Sequence, residues 1–108
     1  HRVPVIDGHT MAVWIDSGMT VNEAIDAYRT FTAPFQGLPH QPLKSILYLD
    51  QPDRPQPRLD RNRGDGMTVS VGRVRQGLRF IAHGHNTIRG AAGASVLNAE
   101  LITTRKYL

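Results

Sequence analysis

The chain alternates short apolar runs with turn-forming residues, and the spacing of those runs predicts most of its elements. The first run, Arg2-Val3-Pro4-Val5-Ile6, ends at Asp7-Gly8, a hairpin signal because Gly accepts the positive φ of a tight turn. With those two as the turn, Ile6 faces His9, and positions 2, 4, 6 and 9 share one face. Residues 10–15 read as a strand with Met11, Val13 and Ile15 on one side, ended by Asp16-Ser17-Gly18. Thr20 followed three residues later by Glu23 is a capping box, so a helix starts there. Val21, Ala24, Ile25, Tyr28 and Phe31 or Thr32 give it one buried stripe. Prolines and Gly37 keep residues 33–43 irregular, and residues 46–49 form a short buried strand.

Residues 50–66 are again broken by Pro52, Pro55, Pro57, Gly64 and Gly66. Residues 67–76 then form a strand whose odd face changes from Val69 and Val71 to Arg73 and Arg75. A hairpin across Gln76-Gly77 pairs it with residues 78–83, which bury Leu78, Phe80 and Ala82. Asn86-Thr87 supplies an N-cap for a helix over residues 88–101. That helix tolerates Gly90 and Gly93, which points to close backbone approach by a neighbour or ligand, and its N-terminus is a natural anion or amide site. The element order gives an α+β fold in which helices cover a largely antiparallel sheet.

Composition narrows the partners. With 40% hydrophobic and 20% charged residues, the 108-residue chain is one ordered domain or a piece of one. No apolar run reaches the length of a membrane span and no signal-peptide pattern opens the chain, so no membrane partner is expected. A strand-like run begins at once after His1, which gives the expectation of a chain that continued upstream. There is no Cys, hence no disulfide and no thiol nucleophile from these residues. The net charge of +4, almost all of it from Arg, favours carboxylate or phosphate partners.

Arg54, Arg58, Arg61, Arg63, Arg73, Arg75 and Arg79 offer a basic RNA- or polyanion-binding module as one alternative. Against it, Asp residues interleave with the arginines over residues 53–61 and stacking aromatics are missing, which favours a rigid linker or interface. Self-association through the Val69-Val71 strand and its hairpin partner is a third reading. His83-Gly84-His85 sets two imidazoles two apart, but no third metal ligand is placed. On the first hairpin, Arg2 stands roughly 13 Å along the strand from His9. One would grip a carboxylate and the other exchange protons, unless the pair is merely an exposed strand end and a turn histidine.

Four colinear blocks now matter: Arg2 to Thr10, Pro52 to Asp60, Ser70 to Arg75, and Gly84 to Glu100. Together they resemble the C-terminal part of aspartate-semialdehyde dehydrogenase, of its archaeal and fungal branch, and residues 84–93 (Gly-His-Asn-Thr-Ile-Arg-Gly-Ala-Ala-Gly) carry the most specific part. The resemblance implies an NADPH-dependent enzyme that reduces L-aspartyl-4-phosphate to L-aspartate 4-semialdehyde and phosphate. This is a cytoplasmic step towards lysine, threonine and methionine. It implies a catalytic and dimerisation domain similar to that of glyceraldehyde-3-phosphate dehydrogenase, with the dinucleotide-binding domain absent from residues 1–108, and a homo-oligomer that binds no nucleic acid. By the same resemblance Arg2 binds the substrate carboxylate and His9 is the general acid/base. Asn86 approaches the nicotinamide carboxamide and Gly90 lets the cofactor come close. The family's nucleophilic Cys and Gly-rich phosphate loop have no counterpart here, so the expectation is a fragment, inactive alone, with very weak NADP binding.

Overall fold

The computed structural model describes residues 1–105, in which β1 (His9–Trp14), β2 (Ile46–Leu49), β3 (Val69–Arg75) and β4 (Arg79–Gly84) form one sheet ordered β1-β4-β3-β2. β1 and β3 flank β4 antiparallel, β3 through the Gln76-Gly77 hairpin. β2, however, runs parallel to β3, so the sheet is mixed. Residues 50–68 are long enough to carry the chain back to the starting end of the sheet, which is what a parallel neighbour demands.

The first predicted hairpin is not formed. Residues 1–8 contain no strand, and β1 pairs with β4 instead, placing Met11 opposite Ala82 and Val13 opposite Phe80. Pro4 lacks the N–H that a ladder needs, whereas β4 offers a full set of donors and apolar partners. Ile6 is consequently 87% exposed, and Arg2 and His9 do not share a strand face.

α1 (Val21–Thr30) begins at the predicted cap: Glu23 N–H donates to Thr20 Oγ1 at 3.3 Å, and Thr20 N–H donates to the Glu23 carboxylate at 2.8 Å. Those Thr20 bonds hold the Glu23 carboxyl below its usual range. Ala24 is buried, Val21, Ile25 and Tyr28 are half-buried, and Phe31 is exposed. Tyr28 meets Phe80 edge to face at 5.4 Å between centroids, and the Arg29 guanidinium lies 5.1 Å over Tyr48. α1 therefore covers the sheet face that carries Phe80, Val71 and Tyr48.

The opposite face is closed by residues 50–66, which pack on the sheet at Gly72 and Arg73. Their short helix α2 (Pro57–Asp60) ends on Asp60, which is 0% exposed. Asp60 Oδ2 accepts from Arg54 Nε at 2.7 Å and from Gln56 N–H at 2.8 Å, while Oδ1 accepts from Arg63 Nε at 2.7 Å and also from Arg54 Nη2. Burial pushes the Asp60 carboxyl up, but the bonds from Arg54, Arg63 and Gln56 and the Arg54 charge outweigh it and hold the group well below the carboxylate range.

The odd-face expectation for β3 fails at Arg73. A bulge between Gly72 and Arg75 puts Arg73 at φ +54°, and its Nη2 donates to the carbonyls of Asp53 (2.6 Å) and Pro55 (3.3 Å). Three of the arginines that suggested a polyanion surface are thus occupied inside the fold.

The last helix also starts differently from its prediction. A π-helical turn at Ile88–Ala92 precedes α3 (Gly93–Thr104), and neither Asn86 nor Thr87 caps it with a side-chain oxygen. The buried His85 does so: its Nδ1 accepts from the N–H groups of Thr87 and Ile88, both at 3.3 Å. Gly93 is the position of close approach, since a Cβ there would stand 2.5 Å from Met67 Sδ. No described residue of α3 is buried. No helix among the described residues is long and apolar enough to cross a membrane.

Candidate active site

β1 and β4 meet at His9 and Gly84, and beside that pair the chain leaves a cavity of about 330 Å³. His9 and Met11 line it from β1, Val69 from β3, and His85, Asn86, Arg89 and Gly90 from the turn into the last helix. The alternation of β1 puts His9 and Met11 on this side and turns Thr10 to the other. Three of the four residues singled out from the sequence, His9, Asn86 and Gly90, therefore share one cavity. Arg2 lies exposed in the irregular N-terminal segment and does not line it.

The segment carrying His9 is anchored. Gly8 N–H donates to Asn86 Oδ1 at 3.0 Å, which orients the carboxamide and leaves its NH₂ group for another acceptor. Gly8 has φ +120° and packs on the His83 ring, so only glycine fits. Nearby, the N–H donors on His85 Nδ1 fix that ring's proton on Nε2. At Gly90 a Cβ would meet only His85 O at 3.5 Å, an ordinary contact, so the site is open there.

Spacing alone did not reveal two members of the cavity, His85 and Arg89. His85 was visible only as a metal candidate, and among the described residues no group of three or more His, Cys, Asp or Glu is arranged around a metal position. Arg89 is the second residue of the π-helical turn and has no ion pair among the described residues, so a guanidinium is left to meet an anion in the cavity. The cavity thus offers an imidazole, a carboxamide NH₂ group without a partner among the described residues, a cation and the apolar walls Met11 and Val69.

The chain belongs to the family described as semialdehyde dehydrogenase, dimerisation domain, whose pattern matches residues 1–89. Among curated relatives it is similar to the aspartate-semialdehyde dehydrogenase of Archaeoglobus fulgidus, 54% identical over 114 residues covering 100% of this chain and 33% of that protein. The aspartate-semialdehyde dehydrogenase of Aspergillus fumigatus is 44% identical, covering 99% of this chain and 33% of its own length. A solved structure of the Candida albicans aspartate semialdehyde dehydrogenase with NADP matches 99% of this chain and 33% of that one, with a TM-score of 0.83 and 40% identity. The chain thus spans about a third of the length of the relatives it matches.

Proposed function

We propose that these residues form the acid/base and dimerisation portion of an NADP-dependent aspartate-semialdehyde dehydrogenase, which reduces L-aspartyl-4-phosphate to L-aspartate 4-semialdehyde and phosphate. The observation that carries the reading is the meeting of His9, Asn86 and Gly90 in one cavity, in a chain 54% identical to a relative of that name. His9 exchanges protons with the substrate oxygen as the acyl group is attacked and released. Arg2 and Arg89 are the cations available to the substrate's carboxylate and phosphate. The residues suit the nicotinamide end of NADP: among the described residues the Asn86 NH₂ group has no acceptor and can serve a carboxamide oxygen, and no side chain projects from Gly90. When bound, the cofactor supplies or accepts the hydride. The thiolate for the covalent step comes from outside these 108 residues, which hold no cysteine. The reading includes a homo-oligomer, a cytoplasmic setting and a place before lysine, threonine and methionine.

The test grafts residues 1–108 in place of the matching third of the Archaeoglobus fulgidus enzyme and follows semialdehyde, phosphate and NADP by the absorbance of the reduced cofactor. The chimera is expected to turn over, and His9→Ala to lower kcat by roughly a hundredfold or more. Wild-type kcat in His9→Ala would remove the acid/base role.

A further inference from the structure

His9 is the first residue of an edge strand, preceded by eight residues without regular structure. Strand ends of that kind fray unless tied down. Here the residues on either side of His9 are both tied. Gly8 is held by Asn86, as described, and Thr10 Oγ1 lies 2.8 Å from His83 Nδ1. His83 is Thr10's register partner on β4, so this bond forms on the face opposite the His9 side chain.

The His83 ring is 0% exposed, and Gly8 is seated directly on it: a methyl group at Gly8 would stand 2.5 Å from Cε1 and 2.9 Å from Nε2. Among the described residues His83 Nε2 has no hydrogen-bond partner, nor has Ser70 Oγ, which occupies the facing position on β3. A proton on Nε2 would be a buried, unpaired donor, so the ring carries its proton on Nδ1 and donates it to Thr10 Oγ1. Burial, the largest influence on this imidazole, pushes its pKa down. The Asp60 charge works against that, and His85 and His9 add to it. A neutral ring with one committed donor is a fixed peg.

We infer that His83 is a positioning residue for His9: through the Thr10 bond and the Gly8 contact it sets the height and tilt of Gly8-His9-Thr10, so that the His9 imidazole stays in the cavity. The inference rests on the acid/base reading of His9 and assigns His83 no contact with substrate.

The test uses the dehydrogenase assembled with this segment. His83→Phe, which keeps a flat ring of somewhat larger size and removes the donor, is expected to lower kcat by roughly ten- to a hundredfold with KM nearly unchanged. Thr10→Val, which removes the same bond without changing volume, should do likewise, and the double variant should be no worse than either single one. His83→Asn, whose amide reaches the Nδ1 position, should recover most of the rate. Should His83→Phe fail to fold, Thr10→Val and His83→Asn decide. Wild-type kcat in Thr10→Val, or His83→Asn as impaired as His83→Phe, would overturn the inference.

Nitrogen NMR of the imidazoles in the 108-residue chain separates this from the catalytic reading. Thr10→Val should shift the His9 ring signals and His83→Asn should preserve them, whatever His9→Ala does to turnover. His9 signals unmoved in Thr10→Val would count against positioning even if His9 proves catalytic.

Discussion

A carboxylate is held best by two parallel N–H donors, so both the place of an arginine and its fork matter. Two guanidinium groups compete for that task here: Arg89, which lines the His9 cavity, and Arg2, which sits exposed in residues 1–8. In the chimera, Arg2→Ala is expected to raise KM for the semialdehyde more than it lowers kcat, and Arg2→Lys to restore only part of the affinity, since Lys lacks the fork. Steady-state kinetics decide it, and an unchanged KM in Arg2→Ala moves the carboxylate to Arg89. His85 teaches the opposite lesson at the same scale. Its spacing from His83 invited a metal, yet its Nδ1 is consumed by two backbone donors at the head of the last helix.

Among the elements, α2 and its flanking loop concentrate the electrostatics. Asp60 is fully buried and satisfied by Arg54, Arg63 and Gln56, while Arg73 fastens the same loop to β3. Asp60→Asn removes the charge shared by Arg54 and Arg63 and is expected to cost about 1–3 kcal/mol, the range for leaving buried hydrogen-bonding groups mismatched. Urea denaturation measures it, and a loss under about 1 kcal/mol would equate the pair with an exposed one. The pH dependence has a definite sign. The folded carboxyl titrates below its unfolded value of 3.8, so its contribution is complete above that pH and is lost as pH falls below it towards the lower folded pKa. The urea midpoint should therefore drop on acidification below 3.8, and Asp60→Asn should flatten that slope.

For the whole molecule, much apolar surface remains in contact with water. Trp14 is 77% exposed, Ile15 and Met19 follow it in the same condition, and α3 buries none of its described side chains. β3 is flanked by β4 and β2, so the Val69-Val71 strand has no open edge of its own. The free edges belong to β1 and β2. Sedimentation of the 108-residue chain is expected to show concentration-dependent association through these surfaces, and a strictly monomeric chain at high concentration would argue against it. The same chain should turn over no semialdehyde, because it has no cysteine to form an acyl intermediate. Activity that persisted after thiol alkylation would overturn the dependence on an outside thiolate.

Local chemistry settled much of this in advance. The Thr20-Glu23 box, the Gln76-Gly77 hairpin and the short apolar runs each depend on a few neighbouring residues, and all appear close to where their spacing puts them. The block of residues 84–93 carried the family resemblance for the same reason, since a helix entry beside a ligand site is written in consecutive residues. What escaped was set by long-range choice of partners. Nothing near Asp7-Gly8 says that β1 will prefer β4, about seventy residues away, over its own upstream run, and that choice separated Arg2 from His9. Nor does local spacing reveal that a loop rich in alternating charge closes a sheet face around Asp60, or that the β3 bulge turns Arg73 to hold it. Burial and cross-strand register are properties of the assembled sheet. They alone decided which side of it holds His9 and which side holds the His83 ring beneath.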